Sequence, residues 1–161
     1  MKRFIKFQVV LTALFVMTSV NCHAQQSGDV ERTMNEIVSK HEGNKDISCF
    51  TVVKGGGLEI FKRMFNKEFG KEFMKGVTSI TIIDYSDASE DTCMTLRKDL
   101  DAFLSLLQEF DITKEKQFAD NDYLRCFASA SESGTLSDFV IALEHDKSKI
   151  VMYMAGSIKV E

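Results

Sequence analysis

Three apolar segments close the chain: 123–130 (YLRCFASA), 136–143 (LSDFVIAL) and 150–155 (IVMYMA). Each is rich in β-branched and aromatic residues, which is typical of strands. Turn-forming residues separate them, at 133–134 (SG) and at 145–148 (HDKS). Because such short turns join antiparallel neighbours, this stretch predicts a three-stranded antiparallel meander.

The sequence before the meander alternates between helical and strand patterns. Apolar residues recur every three or four positions over 29–41, over 58 to about 74, and most regularly over 93–110, which predicts three amphipathic helices. Between these helices, the segments 47–53 (ISCFTVV) and 77–85 (VTSITIIDY) are rich in β-branched residues and predict two further strands.

The predicted order of elements is helix, strand, helix, strand, helix and then three strands. This separation of helices from the terminal strands is typical of an α+β fold. We therefore expect one mixed sheet of about five strands, with the helices mainly on one face. The pattern does not determine the order of the strands within the sheet.

The first residues have the pattern of an export signal. A short basic leader, 1–6 (MKRFIK), precedes an apolar stretch at 7–20. Fourteen helical residues reach only ~21 Å, less than the roughly 30 Å of a bilayer core. We expect a secretory signal peptide at 1–24, cleaved between Ala24 and Gln25, and a single α+β domain at 25–161. The alternative is a short membrane anchor that is retained.

A second alternative is a lipoprotein signal, in which Cys22 becomes the lipidated first residue. The residues before it, Ser19, Val20 and Asn21, lack the Leu and the small residue that such signals prefer. An exported domain in the periplasm or at the cell surface is therefore the favoured prediction. Lipidation at Cys22 would instead tether the same domain to a membrane leaflet.

Charge narrows the classes of partner. Loss of Lys2, Arg3 and Lys6 with the leader leaves 17 basic residues against 24 acidic ones, a net charge of −7. Nucleic acids and anionic membranes are bound by clusters of Lys and Arg. The acidic composition therefore disfavours nucleic acid as a partner, and a chain of this length predicts one domain with one core.

Three cysteines, Cys49, Cys93 and Cys126, remain after the leader is removed. An odd number allows at most one intramolecular disulfide, and the sequence does not say which pair would form it. None has the CxxC spacing of a redox or metal motif. We expect buried free thiols that behave as small apolar residues.

The remaining candidate motifs favour structural roles. The triple glycine at 55–57 lacks the Gly-Lys-Ser/Thr ending of a phosphate-binding loop, so we expect a strand-to-helix connection. His41 falls on the apolar side of the first helix, and His145 lies in a turn without a second His at ligand spacing. Acidic residues at 84–91 are placed to cap a helix. The sequence therefore predicts no metal site, no cofactor and no catalytic residue.

Aromatic and large aliphatic residues on both faces of the meander suggest a binding surface. We expect three helices to cover one face and to leave side chains on the other face available to a ligand or protein. The predicted contact residues are Tyr123, Phe127, Phe139, Ile141 and Tyr153. Such apolar patches are rare on monomers. The alternative is that the helices or a dimer partner bury both faces.

Five segments together resemble a known family. They are 38–43 (VSKHEG), 47–57 (ISCFTVVKGGG), 76–86 (GVTSITIIDYS), 96–107 (LRKDLDAFLSLL) and 150–158 (IVMYMAGSI). Their arrangement resembles the bacterial domain of unknown function 4252, found mainly in exported proteins of Bacteroidota. The resemblance implies an α+β domain behind a signal peptide, with no established activity and no catalytic residues. Its members occur near extracytoplasmic sigma-factor genes, which implies a role in envelope responses.

We therefore expect an exported, non-catalytic domain that binds an envelope protein or a small ligand, with a homodimer as a possible state. One alternative is a small hydrolase-like enzyme whose site assembles only in three dimensions. Another is a membrane-tethered lipoprotein that acts in an envelope stress response.

Overall fold

Amphipathic periodicity defines three helices in the part of the chain that the structure describes. α1 spans Ser27–His41, α2 spans Gly56–Phe69 and α3 spans Glu90–Leu104. The backbone N–H of Thr92 donates to the hydroxyl of Ser89, 3.3 Å away, which caps the start of α3. All three are seen in a computed structural model that describes residues 27–69, 72–110, 123–130, 136–145 and 148–158.

Six strands of the described segments form one sheet. They are β1 (Ser48–Val52), β2 (Gly76–Asp84), β3 (Gln108–Phe110), β4 (Tyr123–Ala130), β5 (Leu136–His145) and β6 (Ser148–Ile158). Their order is β1-β2-β6-β5-β4-β3, and every neighbouring pair is antiparallel. β1 and β3 are therefore the two edges of the sheet, and the expected meander is confirmed as β4-β5-β6.

Side chains alternate along each strand between two faces. The face on which α1 and α3 pack is called the two-helix face. Its buried side chains come from both helices, from four strands, and from the residues just before β1 and just after β2: Val30, Met34, Ile37, Ile47, Ile83, Tyr85, Cys93, Leu96, Leu100, Phe103, Leu104, Phe127, Val140, Val151, Tyr153 and Ala155. The rings of Phe103 and Tyr153 meet edge to face at 5.8 Å, a geometry that adds about 0.5–1.5 kcal/mol beyond the buried area.

The opposite face, called the one-helix face, is covered by α2 and by the turn that follows it. Its buried side chains are Val52, Leu58, Phe73, Met74, Val77, Ile80, Cys126, Ala128, Leu136, Phe139, Ile141, Met154 and Ile158. Phe61 and Phe65 of α2 pack against this cluster and remain half-buried. The rings of Phe65 and Phe73 stack at 6.5 Å, which ties the helix to the turn.

The α+β class is confirmed, and two details of the expected sheet are wrong. The sheet has six described strands rather than five, and it is antiparallel rather than mixed. Two of the three described helices share one face, as expected, but the third covers the opposite face, so the three do not lie together on one face. The direction of β2 explains why the sheet is antiparallel. α2 and the turn at 72–75 return the chain to the end of the sheet where β1 finished, so β2 runs back beside β1, with Ile80 opposite Val52.

The sequence pattern did not reveal β3 because it predicted a third helix that is too long. The periodic pattern continued to Phe110, whereas α3 ends at Leu104 and is capped by Ser105. The next residues pair with β4, placing Phe110 opposite Cys126. A three-residue strand carries too little alternation to be distinguished from the last turn of an amphipathic helix, so only its hydrogen-bonded partner identifies it.

The three described cysteines, Cys49, Cys93 and Cys126, are free, as expected. Cys126 lies on the one-helix face and Cys49 packs against the cluster of the two-helix face, so the sheet separates these two thiols. Burial, with a smaller contribution from Glu109, raises the pKa of Cys126 to about 12. Predictions about the leader, including cleavage between Ala24 and Gln25 and lipidation of Cys22, lie outside the described residues.

Candidate binding surface and polar clusters

The five predicted contact residues do not form one open surface. Phe127 and Tyr153 lie in the cluster of the two-helix face, and Phe139 and Ile141 in that of the one-helix face. All four expose 5 % or less of their surface. Tyr123 begins β4, and its side chain is outside the described part. The sequence identified apolar residues correctly, but their neighbours in the sheet determine that these four are core.

Exposed apolar residues are concentrated elsewhere, around β1 and α2. Five large apolar side chains are exposed in the described part of the chain: Phe50, Val53, Ile60, Met64 and Met94. The first four belong to β1, to the residue that follows it, or to α2, and only Met94 lies on α3. Phe50 lies on the same face of β1 as the buried Val52, two residues away, yet it exposes 56 % of its surface.

Helix α2 has apolar residues on two sides. Leu58 is buried, and Phe61 and Phe65 point with it towards the sheet. The opposite side exposes two apolar and two basic residues at positions i, i+3, i+4 and i+7, which lie together on a helix. This set, called the α2 stripe, consists of Ile60, Arg63, Met64 and Lys67.

The triple glycine leads from β1 into α2, as expected. Gly55 has a φ of 141°, a conformation that side chains other than glycine rarely adopt. Its carbonyl accepts a hydrogen bond from the N–H of Glu59 at 3.2 Å, which closes the first turn of the helix. The glycines thus set the direction of α2 across the sheet.

The two edges of the sheet differ in charge and length. β1 has five residues, none of them charged, and its side chains at Ser48, Phe50 and Thr51 are exposed. β3 has three residues, and its Glu109 pairs with Arg125, Oε1 to Nε, at 2.6 Å. Proteins commonly use charge and short length to stop an edge strand from pairing with another chain. β3 shows both features, whereas β1 shows neither.

A buried histidine joins the two helices of the two-helix face. His41, at the end of α1, is 7 % exposed, and its Nε2 lies 2.8 Å from Oδ2 of Asp99 on α3. Lys40 donates to the other oxygen of Asp99, also at 2.8 Å. Burial raises the pKa of Asp99, but the bonds from Lys40 and His41 outweigh it and hold this pKa below its ordinary value.

A small cavity adjoins this histidine. Its volume is about 220 Å³, and it is lined by His41, Asn44, Asp91, Thr92 and Thr95. His41 thus contacts Asp99 and also lines this cavity. Sequence reasoning missed this pairing because Asp99 stands 58 residues from His41. The only local signal was a histidine at the end of an apolar helical face.

A buried carboxylate lies at an irregularity between β5 and β6. Asp138 is fully buried, has a φ of 51°, and accepts a 2.8 Å hydrogen bond from the hydroxyl of Tyr153. Burial, followed by the charge of Asp138, raises the pKa of Tyr153 far above its ordinary value. Bulges of this kind redirect one side chain without ending the strand, and here the redirected carboxylate enters the core.

A third polar cluster lies between α3 and the strands on which it packs. Arg97 of α3 pairs with Glu144 of β5, and Tyr85 lies beside them. Burial, with a smaller effect of Glu144, raises the pKa of Tyr85 to about 12. Nζ of Lys149 donates to Sγ of the buried Cys93 at 3.3 Å. These contacts join α3 to β5 and β6.

The cap of α3 is Ser89 rather than one of the acidic residues at 84–91, of which Glu90 and Asp91 lie in the first turn of the helix. Oδ1 of Asp84 accepts hydrogen bonds from the N–H and the hydroxyl of Ser86, at 3.0 and 2.6 Å. In the described ranges, no three His, Cys, Asp or Glu side chains converge in a way that would hold a metal ion. The structure describes the backbone of His145, at the end of β5, but not its side chain.

Comparison of the chain with protein-family models, with curated proteins and with solved structures found no match in any of the three sets. Of the helices that the structure describes, none combines the length and the apolar character that crossing a membrane requires.

Proposed function

We propose that this chain is an exported, non-catalytic binding domain that engages a protein partner through the α2 stripe. The observation that carries the proposal is the position of the exposed apolar side chains. Four of five belong to the β1–α2 region, and Ile60 and Met64 lie one turn apart on a helix whose other side already packs on the core. Exposed apolar surface that the fold does not need is typical of interaction sites.

The charges of the stripe indicate the chemistry of the partner. Arg63 and Lys67 are exposed beside Ile60 and Met64, although the chain as a whole is acidic. A complementary surface would place apolar side chains against Ile60 and Met64 and carboxylates near the two cations. Arg63 can bind a carboxylate with two parallel hydrogen bonds. We therefore expect an envelope protein with an acidic, apolar contact segment.

The proposal is tested with four versions of the purified domain as bait in envelope extract. They are the wild type, Ile60→Ser/Met64→Ser, Arg63→Glu/Lys67→Glu, and Met94→Ser as a control that removes an equally exposed apolar side chain from α3. The captured protein is then purified and its dissociation constant measured with each version. Truncating apolar contacts at the centre of an interface commonly costs tenfold or more in affinity.

We expect wild type and Met94→Ser to bind equally and both α2 variants to bind at least about tenfold more weakly. Equal binding by all four versions would contradict the proposal. Flotation with anionic lipid vesicles is measured in parallel, because a basic and apolar helix face also suits a membrane surface. If the domain binds vesicles but captures no protein, the α2 stripe would be a membrane-binding surface rather than a protein-binding one.

A second candidate function is a small enzyme centred on His41. The observation that favours it is the bond from His41 to Asp99 beside the 220 Å³ cavity, an arrangement that can orient an imidazole as a general base. Turnover of an ester, amide or phosphoester that is lost in His41→Gln and retained in Ile60→Ser/Met64→Ser would support it. A panel without turnover would leave the binding function as the better account.

Export, and with it a place in the periplasm or at the cell surface, is part of the proposal. The mass of the intact protein tests it. A chain that begins at Gln25 and carries no acyl group supports cleavage after Ala24, whereas a chain that begins at an acylated Cys22 identifies a tethered lipoprotein. The resemblance to the domain of unknown function 4252 and the associated role in envelope responses also stay predictions, which deletion of the gene followed by envelope stress would test.

A further inference from the structure

The segment that contains β1 has a self-complementary pattern of charge. It reads Asp46-Ile47-Ser48-Cys49-Phe50-Thr51-Val52-Val53-Lys54, with an acid at one end, a base at the other and seven uncharged residues between. Asp46 and Lys54 are both exposed. When such a segment lies antiparallel to a copy of itself, each acid can face the base of the other copy. This pattern is independent of the α2 stripe.

The direction of the backbone groups shows which residues of β1 can pair outwards. The N–H of Tyr85 donates to Lys149 of β6 at 2.9 Å, so the backbone groups of Tyr85 and of every second residue before it point towards β6. Those of Asp84, Ile82 and Ile80 then point towards β1. They meet Ser48, Phe50 and Val52, their partners in register. Cys49 and Thr51 therefore direct their N–H and C=O groups to the open edge.

We propose that two copies of this chain pair through β1, antiparallel, about a two-fold axis at Phe50. In this register Cys49 of one copy faces Thr51 of the second copy, and each such pair exchanges two hydrogen bonds through its outward groups. Asp46 of each copy faces Lys54 of the other. A two-fold axis at Cys49 or at Thr51 would also satisfy backbone groups, but it would leave both charges opposite uncharged residues.

The uncharged centre of the segment suits this contact. Both copies are acidic overall, so they repel each other at most surfaces. β1 brings no charge of its own to the axis, and it exposes 56 % of Phe50 there. In a symmetric contact the same patch serves both copies. The two Phe50 rings would lie side by side at the axis, on the one-helix face, and each would cover the other from water.

The dimer would have one continuous sheet in which the six strands of each copy join at β1. Since the two-fold axis of an antiparallel strand pair is perpendicular to the sheet, both α2 helices would lie on the same side. Two α2 stripes would then face the same direction. A partner with two contact segments would bind the dimer more tightly than it binds one copy. Once its first segment is bound, the second segment is held close to the second α2 stripe.

The charges allow a test by reversal and mixing. The protein, purified in the form in which cells accumulate it, is studied by sedimentation over a range of concentrations as wild type, Asp46→Lys, Lys54→Asp, and the double variant. Each single variant places like charges opposite each other at both ends of the contact. The double variant restores both attractions with the signs exchanged. So does a mixture of the two single variants, in which one copy carries each change.

We expect wild type to dimerise, each single variant to have a dissociation constant raised about tenfold, and the double variant to return close to wild type. The mixture of single variants should form heterodimers at concentrations at which each alone is monomeric, and high salt should reduce these differences.

Phe50→Lys, which sets two cations at the axis, should abolish the dimer while circular dichroism shows that the fold is kept. A wild type that is monomeric throughout, or a dimer unaffected by the single reversals, would overturn the proposal. Neither outcome bears on binding by Ile60 and Met64, which the bait experiment measures separately.

Discussion

The sheet carries two helices on one face and one helix on the other, and the two sides differ in how they treat apolar residues. On the two-helix face, His41 and Asp99 join α1 to α3, and the core reaches from Val30 to Ala155. Among the described side chains of these two helices, Met94 is the one large apolar residue that is exposed. On the one-helix face, α2 spreads apolar residues over both of its sides. The first arrangement serves stability, whereas the second leaves surface available for contacts.

Matched truncations of one leucine on each face test this difference most strongly. Leu96 of α3 and Leu58 of α2 expose 0 % and 2 % of their surface. Leucine-to-alanine changes in cores cost about 2–5 kcal/mol, and the loss is largest where neighbours cannot move into the space. We expect Leu96→Ala to fall near the upper end of this range and Leu58→Ala near the lower end, measured by denaturant unfolding. A larger loss at Leu58 would show that α2 is the more rigidly held helix.

Loss of the buried hydrogen bond between Tyr153 and Asp138 should have the next largest effect on stability. Tyr153→Phe keeps the ring that packs on Phe103 but removes the hydroxyl that donates to Asp138. Removing a donor from a buried carboxylate costs about 1–3 kcal/mol. We expect the free energy of unfolding to fall by about 2 kcal/mol. An unchanged value would mean that another group replaces the hydroxyl at Asp138.

The stability that Asp99 contributes by bonding to Lys40 and His41, and so joining α3 to α1, should depend on pH. Because Lys40 and His41 hold the pKa of Asp99 below its ordinary value, the folded state binds the proton of Asp99 less tightly than the unfolded state does. The link therefore stabilises the fold above the unfolded pKa and is lost as the pH falls from about 5 to about 2. Asp99→Asn should cost about 1 kcal/mol at neutral pH and progressively less in acid. A loss that does not shrink in acid would contradict this origin.

The smallest effect on stability is expected at the α2 stripe. Ile60 and Met64 expose 60 % and 46 % of their surface, and surface changes away from caps and ion pairs stay within about 0.5 kcal/mol. Ile60→Ser and Met64→Ser should therefore unfold at the same denaturant concentration as wild type. A clear loss of stability would mean that these side chains belong to the fold rather than to a binding surface.

The sequence was sufficient for the elements whose signals are local. Helix α1, the β1 and β2 strands and the terminal meander follow from periodicity and turn residues within short windows. It was not sufficient for features decided by distant partners. The strand at Gln108–Phe110 exists because it pairs with β4, and the sheet is antiparallel because β2 returns beside β1.

The same limit applies to the candidate sites. Phe127, Phe139, Ile141 and Tyr153 were correctly recognised as apolar, but their burial depends on helices far away in the sequence. The bond between His41 and Asp99 likewise joins two separate helices. The outward residues of α2 carry a local signal in the sequence, since Ile60 and Met64 do not lie on the helix face defined by Leu58, Phe61 and Phe65.

Photo-crosslinking in envelope extract tests the central claim most directly. A photoreactive residue is placed at position 60 on α2 or at position 94 on α3, two positions of similar exposure on opposite faces of the sheet. If α2 is the binding helix, light should attach one envelope protein at position 60 and none at position 94, and Arg63→Glu/Lys67→Glu should reduce that product. Attachment of the same protein at position 94, or of none at position 60, would contradict the assignment of binding to α2.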